Sequence, residues 1–108
     1  MTQRVASVIR LRPDKERQYR ELHAEVWPDV LATLKRAHVS NYSIFLRDGY
    51  LFSYMEYSGA DFAADMQGVA NDAATRRWWL LTEPCQLPLA TADAGERWAR
   101  AEELFHLD

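Results

Sequence analysis

The sequence predicts an α+β fold in which helices cover one face of a four-stranded antiparallel sheet. Three observations carry that expectation. Two apolar and aromatic runs, residues 39–47 and 50–57, flank Asp48-Gly49, the dipeptide that supplies the positive φ values of a two-residue hairpin turn. Apolar residues at helical spacing lie between an initial strand-like run and this hairpin, and a second helix-favouring stretch follows it. The length of 108 residues, with 48% hydrophobic and 12% aromatic content, suits one domain over residues 1–108 with its own core.

The opening run, residues 4–12, carries Val5, Ala6, Val8, Ile9 and Leu11 on both parities, as a strand covered on both faces does. Pro13, Asp14 and Glu16 then start a helix with acid in its first turn, and Tyr19, Leu22, His23, Val26 and Val30 continue it at helical spacing. Pro28 lacks the donor for the carbonyl four residues back, so a kink is expected near Trp27. In the hairpin, a two-residue loop pairs Phe45 with Phe52, Ser43 with Tyr54 and Asn41 with Glu56 on one face. Leu46 then pairs with Leu51, and Tyr42 with Met55, on the other.

Residues 60–82 favour helix, with Gly68 and Asn71-Asp72 marking a break between two pieces. Pro84 and Pro88 enclose an irregular stretch, a short helical turn is expected around Trp98, and residues 102–107 alternate as the last strand. The order is β-α-β-β-α-β, the ferredoxin-like arrangement. Because the strands are apolar on both sides, the sheet face away from the helices is expected to pack on a second copy. That makes a homodimer of the dimeric α/β-barrel type, with a pocket between sheet and helices in each subunit.

Thirteen basic against sixteen acidic residues give a net charge of -3, with no Lys/Arg cluster of the kind phosphate backbones require, so nucleic acid is not an expected partner. No run of eighteen apolar residues suggests a membrane span, and no early stretch has the form of a secretory signal. The single cysteine, Cys85, suits a reducing compartment, so a cytoplasmic protein with no membrane partner is expected. HExxH, P-loop, GxSxG and GxGxxG patterns do not occur, and His38 and His106 stand at no ligand spacing from His23, so neither metal nor cofactor is expected. Asp61, Asp65 and Asp72 read as helix-end or solvent-facing acids, and Cys85 as a structural thiol.

His23 follows Tyr19 by four positions, so both side chains project from one helix face, one turn apart, and can act on one ligand. Among Leu22, Val26 and Trp27 the imidazole is expected to be partly desolvated and neutral, donating from one nitrogen and accepting at the other. The plainer alternative is a core tyrosine beside a boundary histidine. Adjacent Trp78 and Trp79 point about 100° apart on a helix, so at least one is expected to face a cavity. There an indole face meets the C–H side of a sugar ring and its N–H bonds a hydroxyl; otherwise one anchors the helix and the other covers a domain edge. Asn41 and Tyr42 point to opposite sides of their strand, and Tyr42 is the one expected in the pocket.

The strings Tyr19-Arg20-Glu21-Leu22-His23, Glu25-Val26-Trp27-Pro28, Asn41-Tyr42-Ser43-Ile44, Arg77-Trp78-Trp79 and Leu104-Phe105-His106-Leu107 together resemble the L-rhamnose mutarotase family, in its order and spacing, over nearly the whole chain. The resemblance implies a small ferredoxin-like homodimer without cofactor. It makes His23 correspond to the family's catalytic proton donor, and Tyr19, Tyr42, Trp78 and Trp79 to its sugar-contacting positions. Pro84-Cys85-Gln86-Leu87-Pro88 and Gly95-Glu96-Arg97-Trp98 depart from the Asn/Asp/Pro-rich connection of rhamnose-pathway members. They look more like a branch associated with L-fucose use, so L-rhamnose and L-fucose are both expected substrates.

The implied isomerase interconverts the α and β anomers of a 6-deoxy-L-hexose. The anomeric hydroxyl loses a proton, the ring oxygen gains one, and the open aldehyde turns about C1–C2 before reclosing. In general acid–base terms His23 delivers the proton to the ring oxygen and takes it back, while Tyr19 orients hydroxyls. The complementary base is water, Tyr42 or a carboxylate such as Glu56. Two other functions fit the same fold and aromatics: a cofactor-free monooxygenase of electron-rich aromatic compounds, which consumes oxygen, and a non-catalytic sugar-binding dimer, which binds without turnover.

Overall fold

The chain begins as a nine-residue strand, β1 (Gln3–Leu11), in the computed structural model, which describes residues 2–108. A 3-10 turn (Pro13–Lys15) leads into α1 (Glu16–Ala24) and α2 (Pro28–Arg36). The hairpin β2 (Val39–Arg47) and β3 (Tyr50–Tyr57) follows, then α3 (Phe62–Asn71) and α4 (Ala73–Thr82). A second 3-10 turn (Glu83–Cys85) opens into two short strands, β4 (Gln86–Leu87) and β5 (Ala99–Ala101). The sheet runs β2-β3-β1-β4 with antiparallel pairings, and β5 joins β1 on the edge that β4 also uses.

Local chemistry accounts for most boundaries. Asp48 (φ 53°) and Gly49 (φ 77°) both take the left-handed conformation, the turn whose twist matches the flanking strands. Trp27 is extended (φ -61°, ψ 132°) because a residue before proline is pushed out of the helical region, and Pro28 opens α2 where its missing N–H has no partner to lose. The expected kink is therefore a full break at residues 25–27 between two helices. α2 ends on His38 in the left-handed region (φ 66°), its N–H bonded to the Lys35 carbonyl at 3.0 Å.

Three further expectations are corrected. Gly68 lies inside α3, and the break between α3 and α4 falls at Asp72 alone, whose carboxylate caps α4 through the Thr75 N–H at 2.9 Å. The last strand is Ala99–Ala101, paired with Ala6, Ser7 and Val8, and not residues 102–107. Ala99, Arg100 and Ala101 fit beside β1, whereas Leu104, Phe105 and Leu107 lie outside the strands and stay exposed. Arg97 and Trp98 form bends leading into β5 where a helical turn was expected.

The hairpin register holds for Phe45–Phe52, Ser43–Tyr54 and Leu46–Leu51, but shifts between Ser40 and Ser43. Asn41 and Tyr42 together oppose the single residue Met55, a β-bulge, and Asn41 takes the left-handed conformation (φ 47°) that asparagine tolerates. The backbone partner of Glu56 is thus Ser40, not Asn41. Strict alternation would put residues 39 and 42 on opposite faces. The bulge lets Val39 pack inward opposite Tyr57 while Tyr42 also faces the helices.

The core divides in two. Ile9, Leu11, Tyr19, Leu51 and Cys85 form one buried cluster, and Ala37, Val39 and Val69 another. The space between helices and sheet that neither cluster fills is the cleft described next.

Candidate active site

A cavity of about 830 Å³ opens between the helices and the inner sheet face, within the range of small-molecule sites. Tyr19 and His23 from α1, Tyr42 from β2, and Trp78 and Trp79 from α4 all border it. Its walls are mainly aliphatic, from residues such as Val26, Val30, Ile44 and Met55.

His23 is held on three sides. Its ring stacks on Tyr19 at 4.2 Å and 26°, and meets Trp78 edge-on at 5.4 Å. Its Nδ1 lies 2.9 Å from the Tyr19 carbonyl. A carbonyl only accepts, so Nδ1 carries the hydrogen and donates it, leaving Nε2 as the nitrogen available to a ligand. Trp78 in turn packs edge-on against Trp27 at 5.2 Å, so the indole that touches the imidazole is itself braced.

Tyr19 is almost fully buried, and its hydroxyl accepts a hydrogen bond from Gln86 Nε2 at 3.3 Å. Burial pushes its phenol up to about 12; the Gln86 bond pulls the other way and the neighbouring Tyr42 adds to the rise. Tyr42 is 43% exposed yet borders the cleft, and burial raises its phenol too. Both phenols therefore stay protonated at neutral pH and act as hydrogen-bond donors or acceptors, not as bases.

The tryptophan pair divides its work. Trp78 is buried, while Trp79 is half-buried and packs on the Ala37, Val39 and Val69 cluster; both reach the cavity. Glu56, a candidate base in the sequence, is on the other face of the sheet. Its carboxylate accepts from Asn41 Nδ2 at 2.7 Å and Tyr54 Oη at 2.8 Å, and the Asn41 bond above all holds it below the usual carboxylate range. The Asn41–Glu56 proximity expected from the hairpin thus exists through side chains, away from the cleft.

The acids set aside as structural take such places. Asp61 caps α3 through the Ala64 N–H, Asp72 caps α4, and Asp65 accepts from the Tyr57 hydroxyl. The Cys85 thiol is fully buried and donates to the Leu81 carbonyl. Among the described residues no three His, Cys, Asp or Glu side chains converge to hold a metal ion. Sequence reasoning missed Gln86, which reaches the Tyr19 hydroxyl from 67 positions away, and Arg97, which bonds Gln86, and no spacing rule connects them. Trp27 was expected beside His23, but not as the ring that braces Trp78.

The profile of the L-rhamnose mutarotase family matches residues 4–107. The chain belongs to the L-rhamnose mutarotase family. It is 33% identical over 107 residues to the L-rhamnose mutarotase of Lactiplantibacillus plantarum, covering 97% of this chain and 98% of that one. It is 30% identical over 107 residues to the L-rhamnose mutarotase of Bacillus subtilis, with the same coverage of each chain. The crystal structure of an L-rhamnose mutarotase from Formosa agariphila superposes with a TM-score of 0.77 at 26% identity, over 98% of this chain and 99% of that one. Membership places the chain among isomerases acting on carbohydrates, and the superposition extends the ferredoxin-like arrangement to nearly its whole length.

Proposed function

We propose that this chain is a mutarotase interconverting the α and β anomers of a 6-deoxy-L-hexose, L-rhamnose foremost and L-fucose second, with His23 as the acid–base group. One observation carries the reading: an imidazole whose Nδ1 is tied to the backbone presents Nε2 to an indole-bordered cavity. In its protonated form Nε2 donates to the ring oxygen as the C1–O5 bond breaks, while the anomeric proton passes to water. The open aldehyde turns about C1–C2, and on closure the ring oxygen returns its proton to Nε2 while the carbonyl oxygen takes one back from water to become the anomeric hydroxyl.

The protonated phenols of Tyr19 and Tyr42 orient ring hydroxyls, and Trp78 and Trp79 offer faces to the C–H side of the sugar. A methyl at C6 suits the aliphatic wall, which rejects an added hydroxyl only modestly. Phe45, Tyr50 and Phe52 are exposed on the outer sheet face, as are Leu104, Phe105 and Leu107 beyond β5. This much apolar surface supports a homodimer that covers it. No helix is long and apolar enough to cross a membrane among the described residues, and the free, buried Cys85 thiol supports a reducing, cytoplasmic setting.

Saturation-transfer NMR on equilibrated L-rhamnose and L-fucose tests the activity directly. The expected result is faster anomer exchange on adding protein, with no oxygen consumed. Exchange of both sugars at the uncatalysed rate would overturn it.

A further inference from the structure

Gln86 is buried and sits between Tyr19 and Arg97. Arg97 Nη2 donates to Gln86 Oε1 at 3.4 Å and to the Glu83 carbonyl at 3.2 Å, and the guanidinium pairs with the Glu83 carboxylate at 3.7 Å. A guanidinium has no acceptor, so the amide of Gln86 must turn its oxygen toward Arg97 and its NH₂ toward Tyr19. That NH₂ has no acceptor either, so the Tyr19 oxygen accepts from it and the phenol's own hydrogen is left for another partner. The ring is already fixed by its stack on His23. Tyr19 and Tyr42 both border the cleft, which is where a partner for that hydrogen can lie. Arg97 holds this place although its Nε is buried with no hydrogen-bond partner.

We infer that Gln86, aligned by Arg97, is a positioning residue that sets the polarity of the Tyr19 hydroxyl, making it a donor to a sugar hydroxyl in the cleft. Arg97 comes from the irregular segment between β4 and β5, so that segment belongs to the machinery of the site and is more than a connection. The inference rests on the mutarotase reading for its ligand, but the hydrogen-bond polarity can be read without turnover.

Two variants separate the possibilities. Gln86→Glu places acceptors toward both Arg97 and Tyr19, so the phenol donates away from the cleft; Gln86→Met removes the bond at similar volume. Each is expected to slow anomer exchange roughly tenfold, the worth of one hydrogen bond, and Gln86→Met is expected to lower the melting temperature as well, because it leaves Arg97 and the Tyr19 oxygen without their partner. In a Tyr19→Phe background both are expected to add nothing, because their effect passes through the missing hydroxyl. A loss of equal size in that background would overturn the inference, since a merely structural Gln86 would show it. Tyrosine labelled with ¹³C at Cζ supplies the second readout: Gln86→Glu is expected to shift the Tyr19 resonance, and an unmoved resonance would also overturn it. If a variant fails to fold, Arg97→Met, which frees the Gln86 amide to flip, is expected to give the same shift and the same silence beside Tyr19→Phe. Failure of the native protein to accelerate either sugar would remove the mutarotase reading alone, and the Tyr19 resonance would still decide the polarity.

Discussion

Tyr19 holds His23 twice: its ring stacks on the imidazole at 4.2 Å, and its backbone carbonyl takes the Nδ1 hydrogen at 2.9 Å. Both contacts follow from one spacing, because residues four apart on a helix lie one turn above each other on the same face. A single tyrosine thereby sets where the imidazole sits and which nitrogen is free. Neither contact uses the Tyr19 hydroxyl, which is why Tyr19→Phe isolates that group without displacing His23.

His23→Ala is expected to slow enzyme-accelerated anomer exchange by about 10²–10⁴-fold, the usual worth of a positioned acid–base group. His23 is half-buried at the cleft wall and not in either core cluster, so the variant is expected to melt close to the native protein. Saturation-transfer NMR beside a thermal melt makes the comparison. Undiminished exchange would take His23 out of the mechanism.

Phe45 is 61% exposed on the outer face of the edge strand β2, opposite Phe52. A charge there would have to be desolvated on self-association. Phe45→Glu is expected to shift sedimentation velocity from dimer to monomer while leaving the circular dichroism spectrum of the subunit unchanged. A native chain that sediments as a monomer at micromolar concentration would dismiss the dimer.

Ile9 is fully buried and lies opposite Leu51 in the β1–β3 ladder, at the middle of the larger core cluster. Ile9→Ala is expected to cost about 2–5 kcal/mol and Ile9→Val about 0.5–1.5 kcal/mol, read from denaturant unfolding. Equal, small losses from both would show that the cluster relaxes around the gap.

The Asp72 carboxyl is held below its ordinary range, first by the Thr75 N–H and then by the Thr75 hydroxyl. A carboxyl lowered on folding adds stability above its unfolded pKa of about 3.9, and that contribution disappears as the pH falls through the folded value. Asp72→Asn keeps a capping oxygen that does not titrate. As pH drops below about 4, the native melting temperature is therefore expected to fall more steeply than that of Asp72→Asn. Parallel curves would show that the cap carries no charge-dependent share.

How much of this was legible along the chain depends on the range of each interaction. Asp48-Gly49 announced the hairpin, and the register of the five residues nearest the turn on each strand follows from its geometry. Farther from the turn the pattern of β2 was compatible with unbroken pairing. Burial of Val39 against Ala37 and Val69 is achieved by the bulge at Asn41, and those partners belong to other elements. Asn41 was expected directly opposite Glu56, but the bulge makes Ser40 the partner of Glu56 and leaves Asn41 to reach it through its side chain.

The edge strand shows the limit most clearly. Residues 102–107 alternate better than Ala99–Ala101, yet Ala6, Ser7 and Val8 of β1 pair with Ala101, Arg100 and Ala99, because what matters there is fit beside an existing strand. By itself the amino-acid order determined the elements from β1 to α4, the interruption at Pro28 and the shared face of Tyr19 and His23, since those depend on dihedral preferences and contacts within one turn of chain. Only the tertiary structure decided which indole braces the imidazole, which strand closes the sheet and that Gln86 with Arg97 reaches the Tyr19 hydroxyl. Those are contacts between distant segments, chosen by competition for the same buried space, and no local preference records the outcome.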